Sequence, residues 1–207
     1  MTRMTDSDDK ALVVLKAASG VFLAHGFSAA STDMIQSAAG VSKATVYARY
    51  PNKEALFLAV IEWECAQFAQ QTQAIQAVPG DIRQTLGSLG RAYLDVVLSP
   101  TALALFRVVV AEAPRFPQIG QVFYRSGPRV MTALVRQVLA QASPALALQD
   151  LGLENASQIF LGLLRNQAQL ECLTHPQARP SEVQLDDWAA LAVDTFLRAF
   201  TPPPRPA

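Results

Sequence analysis

Apolar residues recur at spacings of three and four along nearly the whole chain, and the strict alternation of a half-buried strand is absent. The pattern predicts an all-α protein. Leu12, Leu15, Val21 and Phe22 mark the buried face of a first helix over 10–25, with His25 in its last turn and Gly26 as its C-cap. Ser31 or Thr32 is placed to cap a short second helix ending near Gly40, and Ser42 a shorter third. Asn52, after Pro51, caps a long fourth helix reaching residue 77, where Val78-Pro79-Gly80-Asp81 breaks the chain. Further helices are expected over 82–98, 101–113, 117–126, 128–142, 154–173 and 186–200. Their punctuation is Pro100, Pro114, Gly127-Pro128, Ser143-Pro144 and the loop from His175 to Ser181, and PPPRPA at 202–207 reads as a disordered tail.

Composition adds a bias toward self-association. Hydrophobic residues make up 51% of the 207 and charged ones only 16%, rich for a surface that faces water on every side. Seventeen Lys plus Arg balance 17 Asp plus Glu, which argues against a protein coated in cations for indiscriminate nucleic-acid binding. The two cysteines, Cys65 and Cys172, form no Cys-x-x-Cys or Cys/His spacing, so buried inert thiols are expected and no metal or disulfide framework. The polar, acidic start MTRMTDSDDK lacks a signal peptide's plan, and no run of about 18 uncharged apolar residues suggests a membrane span. A cytoplasmic protein with no membrane partner is expected.

Against that neutral background one stretch stands out. From Val41 to Lys53 there are three cations (Lys43, Arg49, Lys53), two tyrosines, a threonine and no acid. Three short helices with a tight turn between the second and third describe a helix-turn-helix. Winding the third helix at about 100° per residue brings Val46 and Tyr50 together toward a core, and Ala44 with Ala48 to the opposite side. Lys43 and Tyr47 flank the alanines on one edge, Thr45 and Arg49 on the other. Small residues between polar edges suit a helix that approaches something closely. Alanines can touch thymine methyls, Lys43 can reach guanine acceptors, and Thr45, Tyr47, Arg49 and Lys53 can donate to phosphates. In the first helical turn Lys43 opposes the dipole by about 0.3–1 kcal/mol, so a partner explains its place better than helix stability does.

FSAASTDMIQSAAGVSKATVYARYPNKEALF, residues 27–57, resembles the N-terminal DNA-binding domain of TetR-type transcriptional regulators. The recognition pattern is matched at Gly40, Val41, Ser42, Thr45, Tyr47, Tyr50, Lys53, Glu54, Ala55 and Leu56. The resemblance implies that Lys43, Ala44 and Tyr47 approach bases, that Thr32, Thr45, Tyr47, Arg49 and Lys53 hold phosphates, and that Ser42 opens the inserted segment 42–48. Tyr50 replaces the commoner Phe, and Ala48 is smaller than the aromatic or His of many members. RVVVAEAPRFPQIGQVFYRSGP, residues 107–128, is similar to the C-terminal domain of the AefR-like branch.

The remainder shows no nucleophile elbow, phosphate loop, paired-carboxylate motif or His-rich helix, so no catalytic residue, metal or cofactor is expected. Aromatics at Phe68, Tyr93, Phe106, Phe116, Phe123, Tyr124 and Phe160 could be core or could line a ligand cavity. Phe68, Tyr93, Phe106, Phe123 and Tyr124 are the effector-site candidates. Residues 114–149 hold Arg115, Arg125, Arg129 and Arg136 and no acid; a solvated face or an anion site would each account for them. Ile159, Phe160, Leu163 and Leu170 line one late helix, and Trp188, Leu191, Ala192, Thr195 and Ala199 the other. Ile159, Leu163, Trp188, Leu191 and Thr195 are the candidates for a homodimer interface built as a four-helix bundle. Arg165, Asn166 and Gln167 interrupt the first of these helices. The expected division is a helix-turn-helix domain at 1–52, an effector-binding and dimerisation domain at 53–201, and the tail. A dimeric, ligand-responsive regulator, read as a repressor of a pseudo-palindromic operator, is the expected function. Its rivals are a helical small-molecule carrier or a protein-interaction module with an incidental helix-turn-helix.

Overall fold

The computed structural model describes residues 6–73, 78, 80–142, 146–148, 150–175 and 177–201. The expected tail at 202–207, the Ser143-Pro144 break and the end of the long helix at 74–77 lie outside them. Among the described residues there are ten α-helices and no strand: α1 (Asp6–Ala29), α2 (Thr32–Ala39), α3 (Lys43–Arg49), α4 (Lys53–Gln73), α5 (Ile82–Val97), α6 (Pro100–Glu112), α7 (Pro117–Ser126), α8 (Pro128–Ala142), α9 (Leu153–Thr174) and α10 (Glu182–Phe200). The all-α expectation holds.

Packing divides the chain into two compact units. One comprises residues 1–67 and 104–126, the other 68–103 and 127–207. The sequence division at 52/53 followed the end of the helix-turn-helix; packing instead keeps most of α4 with it, because Phe57 and Ile61 are fully buried there. In this first unit Phe22 of α1 meets Phe57 at 4.7 Å between ring centroids, and Phe27 stacks on Phe57 at 5.2 Å. Ile35 of α2 and Val46 of α3 are buried, so the two short helices are held by one apolar anchor each. The chain's return through α6 and α7 adds buried Leu105, Val108, Val109 and Ile119.

Gly26 ends the continuous helix, as its residue type led one to expect, and α1 resumes beyond a kink there. At φ 77°, ψ 166° Gly26 adopts a conformation open to glycine, and a further turn follows in which the Ala30 N–H donates to the Gly26 carbonyl. That extra turn carries Phe27 into the core, 4% exposed. By length and composition Lys10–Ala29, with mean hydropathy 1.5, qualifies as a membrane span, where the sequence was expected to hold none. Its Val14, Ala18 and Phe22 are core residues of this unit.

In the second unit α10 packs on α5 and α9, and α8 on α9. Leu86, Leu94, Val135, Leu139, Phe160, Leu164 and Phe196 are almost fully buried between them. Gly90 permits a close approach of α5 to α9: a Cβ there would stand 2.9 Å from Leu164 Cδ2. Arg91 of α5 ties that helix to α10 through Glu182 and Asp186 and also pairs with Asp95 one turn on. The last helix starts earlier than its apolar pattern suggests. Ser181 and Gln184 form a reciprocal capping box that satisfies the first-turn donors ahead of the first buried residue, Leu185. In α9 Asn166 leaves helical geometry (φ 26°, ψ −141°), a break within the helix expected to run unbroken over 154–173.

Candidate nucleic-acid interface

The reading segment is built by two capped helices and one left-handed turn. Ser31 is the cap of α2, its hydroxyl accepting from the Met34 N–H at 3.2 Å. Gly40, at φ 64°, closes that helix; its N–H and that of Val41 return to carbonyls of the last turn. Two residues later Ser42 caps α3, accepting from the Thr45 N–H at 3.2 Å and sharing a 2.9 Å hydrogen bond with the Thr45 hydroxyl. This spacing is the helix-turn-helix the sequence predicted.

The faces of α3 follow the wheel. Val46 is 1% exposed and Tyr50 half-buried, whereas Ser42, Lys43, Ala44, Tyr47, Ala48 and Arg49 are exposed and Thr45 half-exposed. Ala44 and Ala48, with Thr45 and Arg49, wall a shallow groove whose other side is Lys10, Ala11 and Val14 of α1. Tyr47 reaches across to α2, its hydroxyl 3.2 Å from that of Thr32. Lys43 pairs with Asp33 at 3.0 Å, and that hydrogen bond raises its pKa. Asp33, in the first turn of α2, escaped the sequence reading, and it offers Lys43 a partner inside the protein. Both side chains are more than half exposed, so the pair is weak and leaves the ammonium free to exchange partners.

Lys53 differs from the other cations. It is half-buried, and its Nζ donates to the Ala30 carbonyl at 2.9 Å and the Ser28 carbonyl at 3.3 Å. Asn52 behaves as expected, its side-chain oxygen accepting from the Ala55 N–H at 2.7 Å to start α4.

Elsewhere the candidate residues fall into separate groups. Phe106 and Phe123 pair at 5.9 Å in the first unit, where Tyr124 is 57% exposed, while Phe68 and a buried Tyr93 belong to the second. Of the arginines, Arg125 lies in α7, which ends at Ser126, and pairs with Glu62 at 3.2 Å, while Arg129 and Arg136 lie in α8, which starts at Pro128. Ile159 and Leu191 are exposed, and Leu163, Trp188 and Thr195 join Asn166, Gln167 and Leu191 along a groove between α9 and α10. Both cysteines are buried and outside any disulfide, and burial, then the nearby Glu64 and Glu62 charges, push the Cys65 thiol up to about 12. Among the described residues no cluster of His, Cys, Asp or Glu could hold a metal ion.

A tight two-helix turn presenting an exposed, acid-free helix face defines a helix-turn-helix DNA-binding protein. Residues 14–60 match the bacterial regulatory proteins of the tetR family, and residues 84–202 the C-terminal domain of AefR-like transcriptional repressors. The chain belongs to the TetR family and is a DNA-binding transcriptional regulator, not an enzyme.

A solved TetR-family protein from Mesorhizobium loti is 25% identical with a TM-score of 0.87, over 96% of this chain and 100% of that one. The flavonoid-responsive regulator FrrA is 32% identical with a TM-score of 0.78, over 96% and 99%. The transcriptional activator FasR of Mycolicibacterium smegmatis is 32% identical over 90 residues, 44% of this chain and 41% of that protein. An uncharacterised regulator of Mycobacterium bovis is 29% identical over 120 residues, 57% and 55% of the two chains. The chain thus spans about half the length of the curated relatives it matches.

Proposed function

We propose that this regulator binds a pseudo-palindromic operator as a homodimer and leaves it when a small-molecule effector binds, which makes it a repressor. The observation that carries this reading is the outer face of α3, where Lys43, Ala44 and Tyr47 stand exposed over a buried Val46. Lys43, Ala44 and Tyr47 meet base edges, Thr32, Thr45, Tyr47, Arg49 and Lys53 hold the backbone of the same half-site, and Ser42 opens the inserted segment.

Dimerisation is supported by apolar surface with no partner in the chain. Leu191 is 61% exposed, Leu170 55% and Ile159 40%, all on α9 and α10, and Leu191 lines the groove between them. Ile159, Leu163, Trp188, Leu191 and Thr195 are assigned to that contact. A twofold dimer places two α3 helices in successive major grooves, about 34–36 Å apart. An effector that changes this separation removes one of the two contacts and, with it, most of the avidity. The effector proposed is small and largely apolar, with the Phe106–Phe123 pair and the exposed Tyr124 as its candidate contacts in the first unit and Phe68 and Tyr93 as separate candidates in the second; FrrA, a similar protein, is flavonoid-responsive by name. Action on operator DNA places the protein in the cytoplasm.

Selecting genomic fragments with the full-length protein and footprinting the product tests the reading. Protection of two half-sites one helical turn or a multiple apart is expected, and transcription from the protected promoter should rise when the protein is deleted. A carrier or a protein-interaction module would enrich no fragment. Transcription that falls on deletion would make the protein an activator, as FasR is by name.

A further inference from the structure

Arg115 stands in the short turn between α6 and α7, flanked by Pro114 and Pro117. The turn is closed on itself: the Arg115 and Phe116 N–H groups both donate to the Glu112 carbonyl, at 3.0 and 2.8 Å. It is also tied to the last turn of α1. The Glu112 carboxylate accepts the Ser28 N–H at 3.0 Å through one oxygen and the Ser28 hydroxyl at 2.8 Å through the other. A turn distant from the reading helix in sequence is thereby fixed, within the first unit, beside the joint from which α2 starts.

Two cations meet there. Arg115 lies over the Phe116 ring, 5.3 Å from its centroid; Phe116 meets Phe27 edge-on at 5.0 Å, and Lys53 lies 4.8 Å from the Phe27 centroid. The linked rings hold both cations along one open groove of about 400 Å³, with Asn52 and Glu54 in its wall. Two positive charges against the one carboxylate of Glu54 leave the groove positive. Lys53 gives two of its three N–H groups to the Ser28 and Ala30 carbonyls, which leaves one for a ligand. The Arg115 guanidinium is exposed and makes no ion pair or hydrogen bond among the described residues, whereas Arg83, Arg91 and Arg125 each hold a carboxylate. Its paired N–H groups match two oxygens of a phosphate, and stacking on Phe116 limits the freedom it loses on binding one.

We propose that Arg115 is a further ligand for the operator backbone, supplied from outside the helix-turn-helix and holding a phosphodiester beside the one at Lys53. This rests on the operator binding proposed above. A phosphate contact carries no sequence information and displaces counterions, so its loss is read in the salt dependence of binding and not in the sequence bound.

The test titrates full-length wild type, Arg115→Gln, Arg115→Lys and Arg125→Gln against the genomic fragment that wild type selects, between about 50 and 200 mM salt. A bound dimer carries Arg115 twice, so Arg115→Gln should make the slope of log affinity against log salt shallower by about two. A loss of about a hundredfold at the low end then shrinks to about tenfold at the high end. Arg115→Lys keeps the charge and should keep the slope. Arg125→Gln removes the same charge from an arginine that already pairs with Glu62, and it should bind as wild type does. Circular dichroism at the assay temperature checks that each variant is folded. In ethylation interference on wild type, one blocked phosphate in each half-site should weaken binding, and Arg115→Gln should be indifferent to it. The proposal is overturned if folded Arg115→Gln keeps the wild-type slope, or if Arg125→Gln flattens it equally. It is also overturned if inorganic phosphate, at matched ionic strength, displaces operator from wild type but not from Arg115→Gln, since the groove would then serve a free anion. A wild-type protein that prefers no fragment would sink the operator reading itself.

Discussion

Replacing Leu191 with Glu should convert the dimer into monomers without unfolding the subunit. Leu191 is 61% exposed on α10, so its side chain contributes little to the fold of one chain. Fully burying a leucine stabilises by about 1.5–3 kcal/mol, so covering the remaining surface is worth about 1–2 kcal/mol per copy. The twofold axis counts each residue twice, giving about 2–4 kcal/mol for the dimer. That alone corresponds to a dissociation constant raised by about 30-fold to several hundredfold, the effect expected of Leu191→Ala. Glu adds two carboxylates, desolvated and facing each other, at several further kcal/mol. Sedimentation velocity at micromolar concentration should therefore show monomer for Leu191→Glu, with thermal unfolding close to that of wild-type subunits. The variant should lose the two-half-site footprint while keeping weak binding to a single half-site. A Leu191→Glu protein that stays dimeric at micromolar concentration would refute the assignment of this surface to the interface.

Three further outcomes can be checked. Tyr47→Ala should weaken operator binding about tenfold or more in a gel-shift titration with the dimer intact, and Tyr47→Phe, which loses only the hydroxyl shared with Thr32, should cost less; wild-type binding by Tyr47→Ala would remove it from the reading face. Glu64, 6% exposed and accepting a hydrogen bond from Ser19, has its carboxyl pKa raised by desolvation, so it favours the folded state when protonated and opposes it when charged. Glu64→Gln should therefore be more stable than wild type to urea at pH 7, the difference fading as pH falls through the raised folded value and being gone below the ordinary carboxylate range; a difference that grows on acidification would refute the sign. Finally, an effector that releases operator must bind about two orders of magnitude more weakly when operator is present, and equal affinity in calorimetry with and without DNA would disqualify it. Phe106→Ala and Phe123→Ala should each lower that affinity.

Most of the architecture was legible because helix periodicity and helix punctuation are local signals. Pro117, Pro128, Asn52, Asp81 and Ser42 each begin or cap the helix their residue type favours, and the observed bounds follow within a residue or two. Gly26 stops the first helix as its residue type favours, but the single turn beyond it, which buries Phe27, carries no signal of its own. At α10 the expected start was residue 186, but Ser181 and Gln184 supply hydrogen bonds that start the helix at Glu182, four residues sooner.

The candidate site shows the same division. The exposed edges of α3 could be wound from the sequence, since seven residues determine their own faces. Asp33 beside Lys43 depends on the angle between two helices, and Glu112 on Ser28 spans 84 positions. No spacing rule reaches that far.

The order in which the two units are synthesised follows from their segmentation. The unit that carries α1 to α3 is complete only once residue 126 has emerged, because α6 and α7 belong to it. By then α5 has already left the ribosome with Leu86, Leu89, Tyr93 and Leu94 on its apolar face, and the helices that cover them, α9 and α10, end at Phe200. About a hundred residues separate the end of α5 from that point, which at about 5–20 residues per second is a wait of roughly 5–20 s. During translation, then, the reading head closes first around a loop containing an uncovered α5, and a nascent chain stalled between residues 126 and 200 is the form of this protein most exposed to chaperones and to aggregation.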